Sequence, residues 1–257
     1  MKVQLLRNAT IILTLNGKTI LVDPMLAGKG SYPPIQNTSN TQMNPVINLP
    51  ISFSKLEYLI SEEIDAVLLT HLHNDHWDQT ARNLLKKDIP VYCQPADLET
   101  IRGQGFTDVR SIDNEVTWEG IQIKRTSGQH GTGDIGKKMG NVSGYMIRFE
   151  HDNLYIAGDT IWCPEVQQAI DDDQPDNIVL NGGAARFVSG DPIVMDTNDI
   201  IMVCRYALSA KIYVVHLEAV NHSMETRKQT RGVIAAHHFE ERCFVPEDGD
   251  TFINHMA

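Results

Sequence analysis

The sequence lacks any long apolar run. No stretch of its 257 residues approaches the roughly 18 consecutive apolar residues that a membrane-spanning helix needs. Near the N-terminus, Arg7, Asn8 and Thr10 interrupt what would otherwise resemble the apolar core of a signal peptide. The sequence therefore predicts a protein that makes no membrane contact.

Cysteine and positive charge are also scarce. The cysteines are far apart and form no Cys-x-x-Cys pair, which is typical of reduced thiols in a cytoplasmic protein; they are Cys93, Cys163, Cys204 and Cys243. Lysine and arginine number 22 against 33 aspartates and glutamates, so the formal net charge is −11. This charge disfavours a surface that follows nucleic-acid phosphates. We expect a cytoplasmic protein for which nucleic acid is an unfavoured partner.

The remaining composition is that of an ordinary globular protein, with 42% hydrophobic and 21% charged residues. The length suits one sizeable domain, and we find no internal repeat and no composition break that marks a linker. The sequence therefore predicts a single domain over residues 1–257. The sequence does not distinguish a monomer from a homo-oligomer, because no heptad repeat or apolar patch decides the oligomeric state.

Histidines and carboxylates are crowded at the end of one predicted strand. The apolar run from Ala66 to Leu69 leads directly into His71, His73, Asp75 and His76. Alternation in an extended segment places His71 and His73 on the same side, where both imidazoles can reach one cation. Asp75 and His76 follow as the chain turns and can reach a second cation. Histidine clusters of this density mostly bind metals, so we predict a metal site here.

The spacing His-x-His-x-Asp-His resembles the signature of the metallo-β-lactamase-fold hydrolases. The Trp77-Asp78 that follows is more similar to the branch that includes ascorbate-6-phosphate lactonase. The resemblance implies an α+β fold, the four-layer αββα sandwich, with a two-metal site at one edge. The β-rich segments around the hairpin turn Asn16-Gly17 fit the first sheet of that fold.

The resemblance also implies ligands further along the chain. His130 lies in a glycine-rich loop after a predicted strand at 121–126 and matches the family's third motif. Taken alone, a loop histidine is usually a solvated surface residue. As a ligand, His130 would complete three imidazoles on the first metal with His71 and His73.

Two further positions resemble the fourth and fifth motifs. Asp159, in Gly158-Asp159-Thr160, matches the aspartate that bridges the two metals, and a shared carboxylate would offset the repulsion between two cations. The alternative for Asp159 is a helix N-cap. His216 ends a predicted strand and would complete the second metal's shell with Asp75, His76 and Asp159. His222 is the second choice for this ligand, and otherwise a candidate general acid or a helix-capping group.

Two features near the first sheet have alternative interpretations. Asp23, which ends the third predicted strand before Pro24, is either a turn residue or a carboxylate that orients a metal-bound histidine. The segment from Ala27 to Pro50 is rich in glycine, proline and small polar residues and shows no clear period. It is either a flap over the site or a flexible insertion. A later amphipathic helix is predicted from 197 to 207, with Thr197 or Asn198 as its cap.

These ligands predict the chemistry of a hydrolase. Imidazoles and carboxylates without cysteine suit two zinc ions, although manganese, iron or nickel would also be accepted. A metal-bridging hydroxide would attack an ester, lactone or phosphoester of a small molecule, Asp75 would orient it, and His222 would protonate the leaving group. The alternatives are a phosphodiesterase or RNA-processing nuclease of the same fold, and a non-catalytic metal-binding protein.

Overall fold

The computed structural model describes residues 1–255, and within that range two seven-stranded sheets account for every strand. The first sheet has the order β14-β1-β2-β3-β4-β5-β6 and the second has the order β13-β12-β11-β10-β9-β8-β7. The strands are β1 Lys2–Arg7, β2 Thr10–Leu15, β3 Lys18–Val22, β4 Ala66–Leu68, β5 Val91–Cys93, β6 Val109–Ser111, β7 Glu115–Trp118, β8 Ile121–Ser127, β9 Ser143–Phe149, β10 Asp152–Ile156, β11 Asn177–Asn181, β12 Lys211–Val215, β13 Cys243–Phe244 and β14 Thr251–Asn254.

Seven α-helices lie in the same range of residues. A π-helical turn, Leu59–Glu63, extends the first helix, and a 3₁₀ turn, Pro95–Asp97, precedes the third. The helices are α1 Phe53–Tyr58, α2 Gln79–Leu84, α3 Leu98–Gly103, α4 Gly133–Met139, α5 Pro164–Asp173, α6 Thr197–Tyr206 and α7 Arg227–Ala236.

The central core lies between the two sheets. Leu5 and Leu13 of the first sheet pack in one cluster with Ile123 and Ile147 of the second. The next residue along β1, Leu6, faces the other way and packs in an outer cluster with α1, α2 and α3. Helices α5, α6 and α7 cover the outer face of the second sheet in the same manner. The predicted four-layer αββα sandwich is confirmed.

The opening strands form as the sequence predicts. Asn16 and Gly17 both adopt positive φ angles, 51° and 69°, which is the geometry of the two-residue turn that matches the twist of a hairpin. The strands on either side are buried at most positions, because both faces of this sheet are covered.

Parallel strands bring the candidate site residues to one edge of the sandwich. Strands β3 to β6 are parallel to one another, and so are β10 to β13. His71 follows β4, Asp159 follows β10, and His216 comes directly after β12. Because the carboxyl ends of parallel strands open at the same edge, these three connections converge.

The structure corrects two details of the helices. Asp196 caps α6 by accepting a hydrogen bond from the backbone of Asp199, so the prediction of Thr197 or Asn198 as the cap was wrong by one or two residues. Helix α4 forms inside the glycine-rich segment that the sequence presents as a loop. Its apolar residues Ile135 and Met139 pack against a small cluster around Ile193, and this tertiary contact outweighs the low helix propensity of glycine.

Candidate metal centre

The tight turn after β4 brings the first-motif side chains together. The backbone N–H groups of His76 and Trp77 both donate to the carbonyl oxygen of His73, each over 2.9 Å. This turn places the ring of His71 4.5 Å from that of His73 and 4.2 Å from that of His76, measured between centroids. The local chain alone therefore assembles three imidazoles.

His130 approaches this group from the loop between β8 and α4. Its Nδ1 lies 2.7 Å from the carbonyl oxygen of Ile193, which fixes the ring and leaves Nε2 facing Nδ1 of His73 at 3.2 Å. His71, His73 and His130 can each offer one nitrogen, and these nitrogens lie within 4.8 Å of one another. We call these three residues the first group.

Four more side chains, Asp75, His76, Asp159 and His216, form a second group with the same mutual spacing. Oδ2 of Asp75 lies 3.1 Å from Nε2 of His216, and Oδ2 of Asp159 lies 3.2 Å from Nε2 of His76. All four residues are buried. His216 has a φ of 63°, a conformation uncommon for a residue other than glycine and one often found at functional sites.

Asp159 lies between the two groups. Its Oδ2 is 3.7 Å from Nε2 of His130 and 3.8 Å from Nε2 of His216. Its other oxygen, Oδ1, accepts a hydrogen bond of 2.7 Å from Nδ2 of Asn181 at the end of β11. Asn181 thus fixes the rotation of the carboxylate so that one oxygen faces both groups of histidines.

Burial and the neighbouring charges together set the pKa values of these side chains. Burial, with support from the nearby His76 and His73, lowers the pKa of His71 well below its usual value. Burial acts to raise the pKa of Asp75 and Asp159, but the adjacent histidines outweigh it and hold both well below the usual range. The carboxylates are therefore ionised at neutral pH, as metal ligands need to be.

Two ring nitrogens show that the site fits metal ions. Nε2 of His71 is buried and has no hydrogen-bond partner among the described residues, and Nε2 of His76, also buried, faces the carboxylate of Asp159 at 3.2 Å without the angle of a regular hydrogen bond. An unpartnered polar atom in a protein interior costs free energy, and native structures rarely contain one without a reason. A cation bound to these nitrogens would supply the missing partner. The donor set of imidazoles and carboxylates agrees with this.

Asp23 contacts a predicted ligand rather than serving as a plain turn residue. Its Oδ2 lies 2.8 Å from Nδ1 of His76, and both side chains are buried. Of the two interpretations of Asp23, the structure thus favours the carboxylate that orients a histidine. A carboxylate on the far nitrogen fixes the orientation of the ring and directs Nε2 toward the site.

His222 does not join either group. It borders a neighbouring cavity, its Nδ1 is buried without a partner among the described residues, and burial lowers its pKa to about 4. At neutral pH its ring is therefore uncharged. Of the two candidates for the last ligand, the structure places His216 among the donors and His222 beside them.

The cavity next to both groups has a volume of about 310 Å³ and mostly apolar walls. Among the residues that the structure describes, no lysine or arginine lines it. The segment from Ala27 to Pro50, which we call the flap, forms one wall, so it does cover the site. The apolar lining residues are Met25, Tyr32, Pro33, Ile35, Met139, Phe187, Ile193 and Val220.

Trp77 and Asp78 support the fold and do not line this cavity. Trp77 is buried in the outer cluster, and its Nε1 donates to Oε1 of Gln104 over 2.7 Å. Asp78 caps α2 through Ala81 and also accepts a hydrogen bond of 2.8 Å from the backbone of Ala27. The dipeptide that resembles the lactonase branch therefore has a structural role.

Sequence analysis overlooked Asn181 and Thr70 as residues of the site. Asn181 holds Asp159, and Thr70 donates its hydroxyl to Asp23. Asn181 ends a strand at the same edge as the predicted ligands, and this position was the available signal. Thr70, directly before His71, gave no signal of its own.

Comparison with known proteins agrees with this fold and site. A family model described as the beta-lactamase superfamily domain matches residues 18–217. The UPF0173 protein YddR of Bacillus subtilis is 37% identical over 98% of this chain and 99% of its own. Two stacked sheets flanked by helices, with a histidine and aspartate cluster at one edge, define a metallo-β-lactamase-fold protein.

Two solved structures are similar over nearly their full length. A possible metal-dependent hydrolase from Veillonella parvula has a TM-score of 0.93 and 37% identity, covering 98% of each chain. The isothiocyanate hydrolase from Delia radicum gut bacteria has a TM-score of 0.92 and 33% identity, covering 99% of each chain. The chain belongs to the UPF0173 family of metal-dependent hydrolases within the beta-lactamase superfamily.

The α-helices of the described residues span six to ten residues. Over residues 1–255, none is both long enough and apolar enough to cross a bilayer.

Proposed function

We propose that this protein is a binuclear metal-dependent hydrolase whose substrate is a small, uncharged and largely apolar electrophile. The observation that carries the proposal is that the two metal-binding groups border a cavity with mostly apolar walls and no cationic side chain among the described residues. We include the whole chain in one hydrolase domain.

The first metal would be held by His71, His73 and His130, the second by Asp75, His76 and His216, with Asp159 shared. Zinc is the first candidate, and manganese, iron or nickel would be accepted by the same donors. When bound, such a pair lowers the pKa of a coordinated water and polarises the substrate.

The shape and chemistry of the cavity guide the choice of substrate. A phosphorylated substrate, as in ascorbate-6-phosphate lactonase, needs a basic partner for its phosphate, and no lysine or arginine of the described residues lines this cavity. Met25, Pro33 and Ile35 instead offer contacts for an alkyl or aryl group. A relative at 33% identity is named as an isothiocyanate hydrolase, so isothiocyanates are our first candidate and uncharged lactones or esters the second.

Isothiocyanate hydrolysis requires addition of water to one carbon atom. The water oxygen bonds to the central carbon and one proton of the water passes to the nitrogen, which gives a thiocarbamic acid. The second proton then passes to the nitrogen as the carbon–nitrogen bond breaks, and the products are an amine and carbonyl sulfide. Asp75 would orient the attacking water through its second oxygen. His222, uncharged and at the cavity wall, would hold the proton in transit to the nitrogen.

The cysteines agree with a cytoplasmic location, which is part of the proposal. Cys93, Cys163, Cys204 and Cys243 are all buried and form no disulfide. Free thiols persist in a reducing compartment.

Metal analysis followed by a substrate screen tests the function. We expect about two metals per untagged chain, with a loss of metal in His71→Ala and in Asp159→Ala. The metal-loaded protein should hydrolyse neutral isothiocyanates faster than phosphodiesters. No bound metal, together with no uptake of zinc or manganese, would overturn the proposal. A preference for phosphodiesters would overturn the substrate class.

A further inference from the structure

The flap closes one side of the cavity although it contains no helix and no named strand. An isolated bridge between Tyr32 and Asn44 is its one sheet-like contact over the described residues. Its residues Tyr32, Pro33, Ile35 and Asn44 nevertheless line the cavity. Contacts with residues outside the flap must therefore hold these four residues at a fixed distance from the metal-binding groups.

Asn221 supplies the largest single share of this attachment. Its Oδ1 accepts hydrogen bonds from the backbone of Ile35 over 3.0 Å and from Nδ2 of Asn44 over 2.8 Å. Its Nδ2 donates to Oγ1 of Thr38 over 2.7 Å, and also to the carbonyl oxygens of Ile35 and Asn40. One side chain thus gathers four residues of the flap.

The backbone of Asn221 joins the same network. Its N–H donates to Oδ1 of Asn44 over 2.8 Å, and its carbonyl oxygen accepts from Nδ2 of Asn40. Asn221 is buried and directly precedes His222, which lines the cavity. The position of the flap is therefore coupled to the segment that carries His222.

No other residue type reproduces this pattern. Aspartate keeps both acceptor bonds but brings a carboxylate against Oγ1 of Thr38 and the carbonyl oxygens of Ile35 and Asn40. Alanine removes all the side-chain bonds. Because Asn221 uses both lone pairs of its oxygen and both hydrogens of its nitrogen, each replacement leaves buried polar groups of the flap without partners.

The flap has further attachments, and none of them holds Ile35. The backbone N–H of Val188 donates to the carbonyl oxygen of Asn37 over 2.7 Å, and the N–H of Val46 donates to the carbonyl oxygen of Ala219 over 2.9 Å. The buried guanidinium of Arg7 donates to the carbonyl oxygens of Met25, Ala27 and Ile47, which lie at or beside the two ends of the flap. The hydroxyl of Tyr32 lies 3.1 Å from Oγ1 of Thr80. Loss of Asn221 would therefore release Ile35 and its neighbours, while the ends of the flap and Asn37 keep their own attachments.

We propose that Asn221 is a positioning residue for substrate specificity. This inference rests on the proposed function. It holds the apolar face of the flap, Pro33 and Ile35, against the metal-binding groups. The alkyl or aryl group of the substrate lies between that face and the opposite wall. Asn221 itself does not line the cavity.

Hydrogen–deuterium exchange of the metal-loaded protein tests the attachment without reference to any substrate. Asn221→Ala should lose amide protection between residues 33 and 44, with unchanged protection in β4 and β12. Asn153→Ala is the control, since Asn153 is likewise an asparagine with several side-chain hydrogen bonds, to Arg148, Asp173 and Gln174, and these lie far from the site. Unchanged exchange of the flap in Asn221→Ala would overturn the proposal.

Kinetics with isothiocyanates of different size tests the specificity. For Asn221→Ala we expect KM for phenethyl isothiocyanate to rise about tenfold, the scale of a lost apolar contact. KM for methyl isothiocyanate, kcat for both substrates and the metal content should stay near the wild-type values. Thr38→Val should show a smaller rise, and Asn153→Ala none.

The two experiments fail in different ways. A wild-type protein that hydrolyses no isothiocyanate refutes the proposed substrate, while the exchange data still decide the role of Asn221. An equal loss of kcat for both substrates would show general damage to the site and would overturn the specificity role.

Discussion

The hydroxyl of Thr70 donates to Oδ2 of Asp23 over 2.6 Å, and that same oxygen lies 2.8 Å from Nδ1 of His76. The backbone N–H of Thr70 donates to Oδ1 of Asp23 over 2.8 Å, so the carboxylate cannot rotate. The ring of His76 is held in turn, with Nε2 3.2 Å from Asp159. Three buried residues thus set the direction of one metal-binding nitrogen.

Asp23→Asn should lower metal affinity about 10- to 100-fold, because the amide removes the charge that supports the His76 ring. Affinity is measured by competition with a chromogenic chelator. Asp65→Asn is the control, since Asp65 also accepts a backbone hydrogen bond, from Thr19, in the first sheet but outside the site. Equal affinities of the two variants would show that Asp23 has no part in metal binding.

Removal of metal should destabilise the wild-type protein. Metal that binds the folded state alone adds about 2.7 kcal/mol at 100 times its Kd. The buried Nε2 of His71, which has no partner among the described residues, makes the metal-free state the less stable one. We expect thermal denaturation with and without a chelator to show this difference in the wild type and a much smaller one in His71→Ala. His151→Ala, at an exposed turn, should behave as the wild type.

The sequence predicts those parts of the fold that local chemistry determines. The Asn16-Gly17 turn depends on neighbours in the chain, and it forms as expected. The cap of α2 by Asp78 is equally local. Strand β14 could not be predicted in this way, because its four residues are a strand through pairing with β1 at the other end of the sequence. A short edge strand carries little periodicity of its own.

The same difference applies to the site. The crowded motif after β4 can be recognised from its residue types and their spacing. Asn181 and Asn221, in contrast, are single polar residues of a common kind. Their roles arise from contacts with Asp159 and with the flap, which are distant in sequence. Such roles become visible when the tertiary contacts are known.

Asn181→Ala should reduce activity by weakening the hold on Asp159. Without the 2.7 Å hydrogen bond to Oδ1, the carboxylate can rotate away from its place between the two groups. We expect lower affinity for the second metal and about a 10- to 100-fold loss in kcat. Asn177→Ala, at the opposite end of the same strand, is the control. A variant with full metal content and wild-type kcat would contradict this role for Asn181.

Replacement of Trp77 should affect stability and leave substrate choice unchanged. Trp77 packs in the outer cluster and donates to Gln104, so Trp77→Ala should cost about 3–5 kcal/mol in the free energy of unfolding. Trp77→Phe keeps most of the packing, and we expect a smaller cost that still permits kinetics. Ile35→Ala, in the cavity wall, should instead affect substrate choice. We expect it to change the ratio of kcat/KM between large and small isothiocyanates.

Urea denaturation and kinetics of Trp77→Phe and Ile35→Ala, measured side by side, separate the two roles. A ratio of kcat/KM that shifts more in Trp77→Phe than in Ile35→Ala would place Trp77 among the specificity residues. The Trp77-Asp78 dipeptide would then bear on the substrate, as its resemblance to the lactonase branch first implied. A loss of stability in Trp77→Phe without a shift in that ratio would instead confirm that the dipeptide holds the outer layer and that the flap selects the substrate.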